Sequence, residues 1–306
     1  NDTINFDSGV FNVPRTITLT TGELLIEGAN SLEITGPRSG LLTISGNDQF
    51  RVFEIKANAT ISGLTVTLGF NVGTGSSSVG GGIGINNGGV GNATMVTLNN
   101  LIVTNNRVQS NNSGGGIGCF RIAALTINNS VISNNRANGG GGISLGGGRD
   151  PRGDTTLNNS MIINNSGGSS GGGAIFCCGN INNNDPLGTL SITGSTLSNN
   201  TSNNNGSAIR FTGTQKWSLS MKNSTVSGNT GSPALQIFRA SLDFDSVTVA
   251  FNSYDHPTRT GGIYFVDDIS AILSRNNIIA NNTNQAGGND LELNGATFTS
   301  QGYNLL

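Results

Sequence analysis

Residues 125–135 read LTINNSVISNN, and close variants of this string recur along the chain. Three of the variants are VTLNNLIVTNN at 96–106, TTLNNSMIINN at 155–165 and LSITGSTLSNN at 190–200. Successive copies start 23–37 residues apart, at Ala59, Val96, Leu125, Thr155, Leu190, Leu219, Leu242 and Ile272. A repeat of this length is typical of a solenoid, in which each repeat forms one coil that contacts only its neighbours.

Within each copy, apolar and polar residues alternate with a period of two, which indicates β-strands. A third strand follows a glycine-rich entry, as in GGGI at 80–83, 114–117 and 140–143, GGGAI at 171–175, GSAI at 206–209 and GGI at 261–263. Three such short strands cannot bury a core alone, but stacked coils about 4.8 Å apart can. The sequence therefore predicts an all-β, right-handed parallel β-helix with three parallel sheets and about ten coils.

The segment before Ala59 shows the same alternation between turn signals. Its candidate strands are TITLT at 16–20, ELLIEG at 23–28, SLEITG at 31–36, LLTISG at 41–46 and RVFEIK at 51–56. We therefore expect a single domain over residues 1–306, with N-terminal coils in 1–58 and repeat coils in 59–306.

Asparagine recurs at the last position of the repeated string. The residues are Asn106, Asn135, Asn165, Asn200, Asn229, Asn252 and Asn282, and Gly69 takes this place in the first copy. Glycine and asparagine tolerate the left-handed backbone that a sharp corner requires, and stacked side-chain amides can bond from coil to coil. We predict a structural asparagine ladder. The alternative is glycosylation, because several copies spell Asn-x-Ser/Thr, with Asn111 and Asn205 in inserted loops.

Composition limits the partners. The formal net charge is −2, and the 15 Lys and Arg residues form no cluster, so we expect no nucleic-acid partner. No apolar run approaches the roughly 20 residues that cross a bilayer, so we expect no membrane span. The sequence indicates no cofactor, apart from the calcium alternative considered next.

Two pairs of aspartates are candidates for chemistry on sugars. Asp243 and Asp245 alternate with apolar residues, so both carboxylates should face outward from one strand, about 6.5 Å apart. Such a pair can hold Ca²⁺ or face a sugar. Asp267 and Asp268 follow a third strand and resemble the paired aspartates of polygalacturonases, although the Gly-His-Gly and Arg-x-Lys motifs of those enzymes are missing. The structural alternative is a solvated strand face.

The segment YDHPTR at 254–259 contains the only histidine, His256, in an inserted loop with a tyrosine, an aspartate and an arginine. These residue types serve acid–base chemistry on uronates. The alternative is an ordinary turn, since a histidine beside a proline is common there.

Cysteines and threonines offer weaker signals. Cys119 and Cys177 should face inward two coils apart, about 9.6 Å from each other, which is too far for a disulfide between them and predicts small buried thiols. Cys178 should face the other way. Thr-x-Thr runs such as Thr16–Thr18 and Thr65–Thr67 suggest an ice-binding surface. The threonines do not visibly recur at one position, so the sequence predicts no flat threonine array.

Residues 2–55 (DTINFDSGVFNVPRTITLTTGELLIEGANSLEITGPRSGLLTISGNDQFRVFEI), followed by ATISGLTVTLG and the NNSVISNN and GGGI coils, resemble bacterial secreted right-handed β-helix repeat proteins. The end, NNIIANNTNQAGGNDLELNGATFTSQGYNLL at 276–306, is similar to the terminus of choice-of-anchor Q domain proteins. The resemblance implies a secreted or cell-surface protein and brings no catalytic motif with it.

We therefore expect an extracellular structural or adhesive β-solenoid. Its candidate partners are a second copy, through end-to-end association into fibres, and a cell-surface or matrix polysaccharide. The alternative is a polysaccharide lyase, hydrolase or epimerase that uses the carboxylates near 243–268.

Overall fold

The computed structural model describes residues 2–28, 30–73, 79–86, 94–109, 111–120, 124–146, 153–177, 188–212, 217–267 and 270–306. All secondary-structure elements in these ranges are β-strands, and every strand pair except one is parallel. None of the described residues belongs to a helix long and apolar enough to cross a membrane.

Each coil contributes one strand to a first sheet, which has 11 strands. These strands are β1 (Asp2–Asn5), β4 (Leu32–Thr35), β7 (Ala59–Ser62), β11 (Met95–Asn99), β15 (Ala124–Asn128), β19 (Asp154–Asn158), β23 (Gly188–Thr193), β27 (Trp217–Lys222), β30 (Ser241–Asp245), β33 (Ala271–Arg275) and β38 (Thr297–Ser300).

A tight turn leads into the second sheet, which has 10 strands. They are β2 (Arg15–Thr18), β5 (Leu42–Ser45), β8 (Thr65–Thr67), β12 (Ile102–Thr104), β16 (Val131–Ser133), β20 (Met161–Ile163), β24 (Thr196–Ser198), β28 (Thr225–Ser227), β31 (Thr248–Ala250) and β34 (Ile278–Ala280).

The third sheet also has 10 strands and closes the coil. They are β3 (Leu24–Ile26), β6 (Phe53–Ile55), β10 (Ile83–Asn86), β14 (Ile117–Phe120), β18 (Ile143–Leu145), β22 (Ile175–Cys177), β26 (Ile209–Thr212), β29 (Leu235–Phe238), β32 (Ile263–Phe265) and β37 (Leu291–Glu292).

A short fourth sheet lies between the second and third sheets and was not predicted. It has 5 strands, β9 (Phe70–Asn71), β13 (Arg107–Val108), β17 (Arg136–Gly139), β21 (Ser166–Gly171) and β25 (Thr201–Ser202). The antiparallel pair β35 (Thr283–Asn284) and β36 (Gly287–Gly288) lies near the C-terminal end. The fold is thus a parallel β-helix with three long sheets, as the sequence predicts, plus this short extra sheet.

The predicted register is confirmed by the strand pairing. Val96 pairs with Leu125, Leu125 with Thr155 and Thr155 with Leu190, so the repeated string stacks on itself. The isoleucines of the glycine-rich entries also stack, as Ile83 does on Ile117. In register, each inward position repeats in every coil, which builds one continuous apolar core.

The core is narrow and fully enclosed. Its largest fully buried side chains include Phe53, Phe211, Phe244 and Phe265, each with 0% of its surface exposed. Burial of such side chains stabilises the fold by about 1.5–3 kcal/mol each relative to exposure. The strands of one coil contribute only a few of them, so the stability depends on stacking.

Near the N-terminal end, a partly buried ion cluster covers the outer surface of the third sheet. Arg51 is 5% exposed, and its Nε donates a 2.7 Å hydrogen bond to Oε2 of Glu23. Its Nη2 lies 3.1 Å from Oε2 of Glu54. Burial alone would raise the pKa of Glu23, but the hydrogen bond and charge of Arg51 outweigh burial and lower this pKa.

Candidate functional site

The seven ladder asparagines lie at the corner after the second sheet, and each is at most 1% exposed. One of the two predicted reasons for asparagine there, a left-handed backbone, is wrong, because none of the seven has a positive φ. The left-handed residue is the one before, with φ of 57° at Asn105, 56° at Asn134 and 57° at Asn164. The first residue of each pair makes the corner, which frees the second to point its amide inward.

The amides form a continuous hydrogen-bonded ladder. Oδ1 of Asn165 accepts from the backbone N–H of Asn135 at 3.0 Å and from its Nδ2 at 3.0 Å. Nδ2 of Asn165 donates to the carbonyl oxygens of Ile132 and Ile163 at 2.9 and 3.1 Å. The same geometry recurs down to Asn282. Each rung therefore satisfies buried backbone groups that the turn removes from the sheets.

Both ends of the ladder are closed by other residues. At one end, the backbone N–H of Gly69 donates to Oδ1 of Asn106 at 2.8 Å. At the other, Oδ1 of Asp290 accepts from the backbone N–H and Nδ2 of Asn282 at 2.7 and 2.8 Å. Asp290 was missed in the sequence because it lies outside the repeated string.

A second ladder, also missed, occupies the corner between the first and second sheets. Ser130, Ser160, Ser195 and Ser224 are buried there, and each Oγ accepts from the backbone N–H one coil earlier, as from Ser130 N–H to Ser160 Oγ at 3.1 Å. Ser130 and Ser160 are also the third residues of the Asn128 and Asn158 glycosylation motifs. The turn and the ladder thus account for Asn-x-Ser at these places without glycosylation.

Outside this corner, asparagines line a shallow groove of about 530 Å³. Nδ2 of Asn128 donates to Oδ1 of Asn99 at 2.8 Å, and Nδ2 of Asn158 donates to Oδ1 of Asn128 at 2.9 Å. These amides bond one another, so the groove presents a satisfied and uncharged surface.

Asp243 and Asp245 lie side by side on β30, where Arg275 of the next coil contacts both. Nη1 of Arg275 is 3.4 Å from Oδ1 of Asp243, and its Nε is 3.0 Å from Oδ2 of Asp245. A hydrogen bond from Asn276, helped by Arg275, lowers the pKa of Asp245. Both carboxylates are thus engaged by a cation. Nor do the described residues contain three or more His, Cys, Asp or Glu side chains grouped to hold a metal ion.

Asp267 is engaged in a turn. Its Oδ2 accepts from the backbone N–H of Arg239 at 2.6 Å, and its Oδ1 accepts from the N–H and Oγ of Ser270 at 3.0 and 3.1 Å. These bonds join two coils. Asp268 lies outside the described residues.

His256 is engaged in its own loop. Its Nδ1 accepts from the backbone N–H groups of Thr258 and Arg259 at 3.2 and 3.1 Å, and its ring stacks on Tyr254 with centroids 5.1 Å apart. These side-chain contacts of His256 lie within the loop, whereas Asp243 and Asp245 contact Arg275. The predicted candidates therefore do not converge on one site.

The cysteines behave differently from each other. Cys119 is a buried free thiol, and burial raises its pKa far above the ordinary range, so it stays protonated. Cys177 is buried but disulfide-bonded, which corrects the prediction of a free thiol there. Cys178 lies outside the described residues.

A cleft of about 300 Å³ lies on the outer face of the third sheet, which the sequence did not indicate. Arg210 of β26 and Gln236 of β29 are paired neighbours on its floor, and Phe238 and Val266 also line it. The size is at the lower end for small-molecule sites.

Arg210 is a partly buried cation without an acidic partner among the described residues. Its Nη1 donates to the carbonyl oxygen of Ser170, and its guanidinium lies 5.4 Å from the ring centroid of Phe176. Burial lowers the pKa of Arg210, and none of the described carboxylates offsets this effect. A desolvated guanidinium favours an anion that brings carboxylate or phosphate oxygens.

Gln236 adds a second unsatisfied group to the same cleft. Its Nε2 donates to Oδ1 of Asn205 at 3.1 Å, while its buried Oε1 has no partner among the described residues. A ligand that carries both an anionic group and hydroxyl donors would satisfy Arg210 and Gln236 together.

The outer face of the second sheet carries two columns of side chains, which we call the threonine face. Its first column includes Thr16, Thr43, Thr65, Thr196, Thr225 and Thr248. Its second includes Thr18, Ser45, Thr67, Thr104, Ser133, Ser198 and Ser227. The other positions are Ile102, Val131, Met161, Ile163, Ala250, Ile278 and Ala280. Threonines thus do not recur in every coil, as the sequence predicts, but they do recur at one position in two runs of three coils, which the sequence did not reveal.

A comparison of the chain with protein-family models, with sequences of characterised proteins and with solved structures found no match in any of the three.

Proposed function

We propose that this chain is an extracellular structural and adhesive β-solenoid that binds an acidic polysaccharide in the cleft at Arg210. In this proposal the coils form a stiff rod, and the rod holds the cleft at a fixed distance from wherever it is attached. The resemblance of residues 2–55 and 276–306 to secreted choice-of-anchor Q domain proteins supports a surface location.

The rod-like role rests on the continuity of the fold. Three long sheets and two buried side-chain ladders run through successive coils without a break at any inserted loop. Hydrogen bonds parallel to the rod axis resist stretching together, and short turns whose backbone is hydrogen-bonded from coil to coil offer few sites to proteases.

The single observation that carries the adhesive role is the partly buried cation of the cleft, Arg210, which has no acidic partner among the described residues and lies beside Gln236. Uronic acids, the acidic sugars of many matrix polysaccharides, combine a carboxylate with neighbouring hydroxyl groups. The carboxylate would pair with Arg210, and a neighbouring hydroxyl would lie beside the amide of Gln236. Phe238 provides an apolar wall for a sugar ring.

Self-association through the ends is the second part of the proposal. In the first coil, the side chains of Ile4, Ile17 and Leu24 occupy core positions and are 45%, 40% and 37% exposed. Stacking on a further coil would bury them.

Affinity electrophoresis in gels that contain polygalacturonate or alginate tests the adhesive role. We expect retardation in these gels and none in a neutral dextran gel. Arg210→Ala should abolish the retardation, and Arg136→Ala, which removes an exposed arginine on the fourth sheet, should preserve it.

Equal retardation of both variants would reduce the effect to net charge and contradict the proposal, as would no retardation of the wild type. Assaying the same polysaccharides for new reducing ends or unsaturated products distinguishes the alternative. Cleavage that disappears in Asp243→Asn/Asp245→Asn would assign the chain to the polysaccharide-active enzymes instead.

A further inference from the structure

The threonine face is a continuous uncharged surface, in which threonines and serines occupy 13 of the 20 positions and aliphatic side chains the other seven. It extends over all 10 strands of the second sheet, a length of roughly 40 Å at the usual strand spacing. Neither of its two columns contains a charged residue, an amide or an aromatic residue.

The edges of this face carry only short turns from β8 onward. Two residues separate each of these second-sheet strands from the strand or bridge on either side, as Asn129 and Ser130 do before β16 and Asn134 and Asn135 after it. Before β5 the connection is longer, and the carbonyl oxygen of Ser39 in it accepts a 2.7 Å hydrogen bond from Oγ1 of Thr65. From β12 to β34, coil length varies only at the other corners, so no insertion shifts the register of the face there.

The face is also rigid. The residue between the two columns points inward in every strand, and Val66, Ile132, Leu197 and Val226 at this position are 0% exposed. Parallel pairing without a bulge holds successive strands about 4.8 Å apart, and the two columns lie about 6.7 Å apart along each strand. The result is a regular two-dimensional array of hydroxyl and aliphatic groups on a preformed backbone, which lowers the entropy cost of binding.

The spacing and the side-chain chemistry of the threonine face indicate its ligand. Water oxygens on the surface of an ice crystal form a flat lattice with repeats close to these two spacings. Threonine offers a hydroxyl that joins such a lattice and a methyl group around which water is already ordered. A charged polymer would require charge on the face, and a sugar platform would require aromatic rings.

We infer that the threonine face binds ice. The aliphatic positions, such as Val131 and Ile102, fit this role because ordered water cages apolar groups as it does the threonine methyls. This site is separate from the cleft at Arg210, which lies on the third sheet, so it stands or falls independently of the proposed polysaccharide binding.

Ice shaping and thermal hysteresis of the purified chain, measured in a nanolitre osmometer, test the inference. We expect faceted ice crystals and a freezing point below the melting point for the wild type. Thr225→Lys places a charge between Thr196 and Thr248 in the middle of a threonine run, and this variant should lose the hysteresis down to the level of buffer.

Thr126→Lys is the matched control. Thr126 is likewise an outward-facing, partly exposed threonine flanked by threonines in adjacent coils, but it lies on the first sheet. The Thr126→Lys variant should retain the wild-type hysteresis. Circular dichroism establishes that both variants are folded. A folded wild type without hysteresis, or equal losses in both variants, would overturn the inference. So would binding to crystalline cellulose or chitin through this face without any effect on ice.

Discussion

At the residue scale, the two asparagines of each pair have different tasks. Asn164 adopts a left-handed backbone with φ of 57°, whereas the side chain of Asn165 is buried and bonds five neighbouring groups. The sequence shows both as the same letter. The difference arises because only the second residue points its side chain toward the core.

This division predicts a large loss of stability when the second asparagine is replaced and a small change when the first is replaced. Asn165→Ala should lower the free energy of unfolding by about 2–4 kcal/mol, because buried backbone groups of Asn135 and Ile132 lose their partners. Asn164→Gly should change it by less than about 1 kcal/mol, since glycine accepts the left-handed conformation. Denaturant unfolding followed by circular dichroism measures both. A change in unfolding free energy for Asn165→Ala as small as that for Asn164→Gly would show that the ladder contributes no net stability.

At the element scale, the first- and second-sheet strands and their turns form a unit of constant length. The unit runs from the start of the repeated string to the ladder asparagine, as in 96–106, 125–135 and 272–282. The remainder of each coil varies in length. Constant length keeps the inward residues inward, because a shift of one residue in a strand reverses every side chain.

Insertion of a single glycine should affect the constant unit more than the variable remainder of the coil. Between Asn159 and Ser160, in the turn from β19 to β20, we expect it to lower the free energy of unfolding by at least about 3 kcal/mol, because the serine and asparagine ladders lose register. Between Pro257 and Thr258, in the loop after the fourth-sheet corner, we expect a change below about 1 kcal/mol. Thermal unfolding compares them, and equal sensitivity would contradict the constant-unit interpretation.

At the scale of the whole molecule, the rod is a sum of coils and their interfaces. Leu219 and Leu242 occupy the same position in adjacent coils. Deletion of residues 219–241 therefore removes one complete coil and joins Ser218 to Leu242 in register.

We expect this deletion variant to fold, to unfold cooperatively and to be shorter by about 4.8 Å in small-angle X-ray scattering. Deletion of residues 219–229 removes only the first two strands of the coil and the ladder corner after them. It should prevent folding, because the remaining chain cannot then place β29 in the third sheet. If both deletions fold, or neither does, the coil is not the unit of stability. The same scattering data, collected over a range of concentrations, report end-to-end association.

The sequence by itself determined the parallel β-helix, its coil boundaries and the ladder positions. These follow from local patterns, namely period-two alternation, glycine-rich entries and paired asparagines, which any one coil displays. The left-handed backbone predicted for the ladder asparagines was wrong. Which of two adjacent asparagines is left-handed depends on which side chain points into the core.

Only the tertiary structure decided which residues meet across coils. It placed Arg275 against Asp243 and Asp245, closed the ladder with Asp290, and put Gln236 beside Arg210, which has no acidic partner in the described part of the chain. It also aligned the threonines of distant segments on one face. Coils of unequal length hide these columns in the sequence, because neighbours are set by strand pairing in space and lie at no constant separation along the chain.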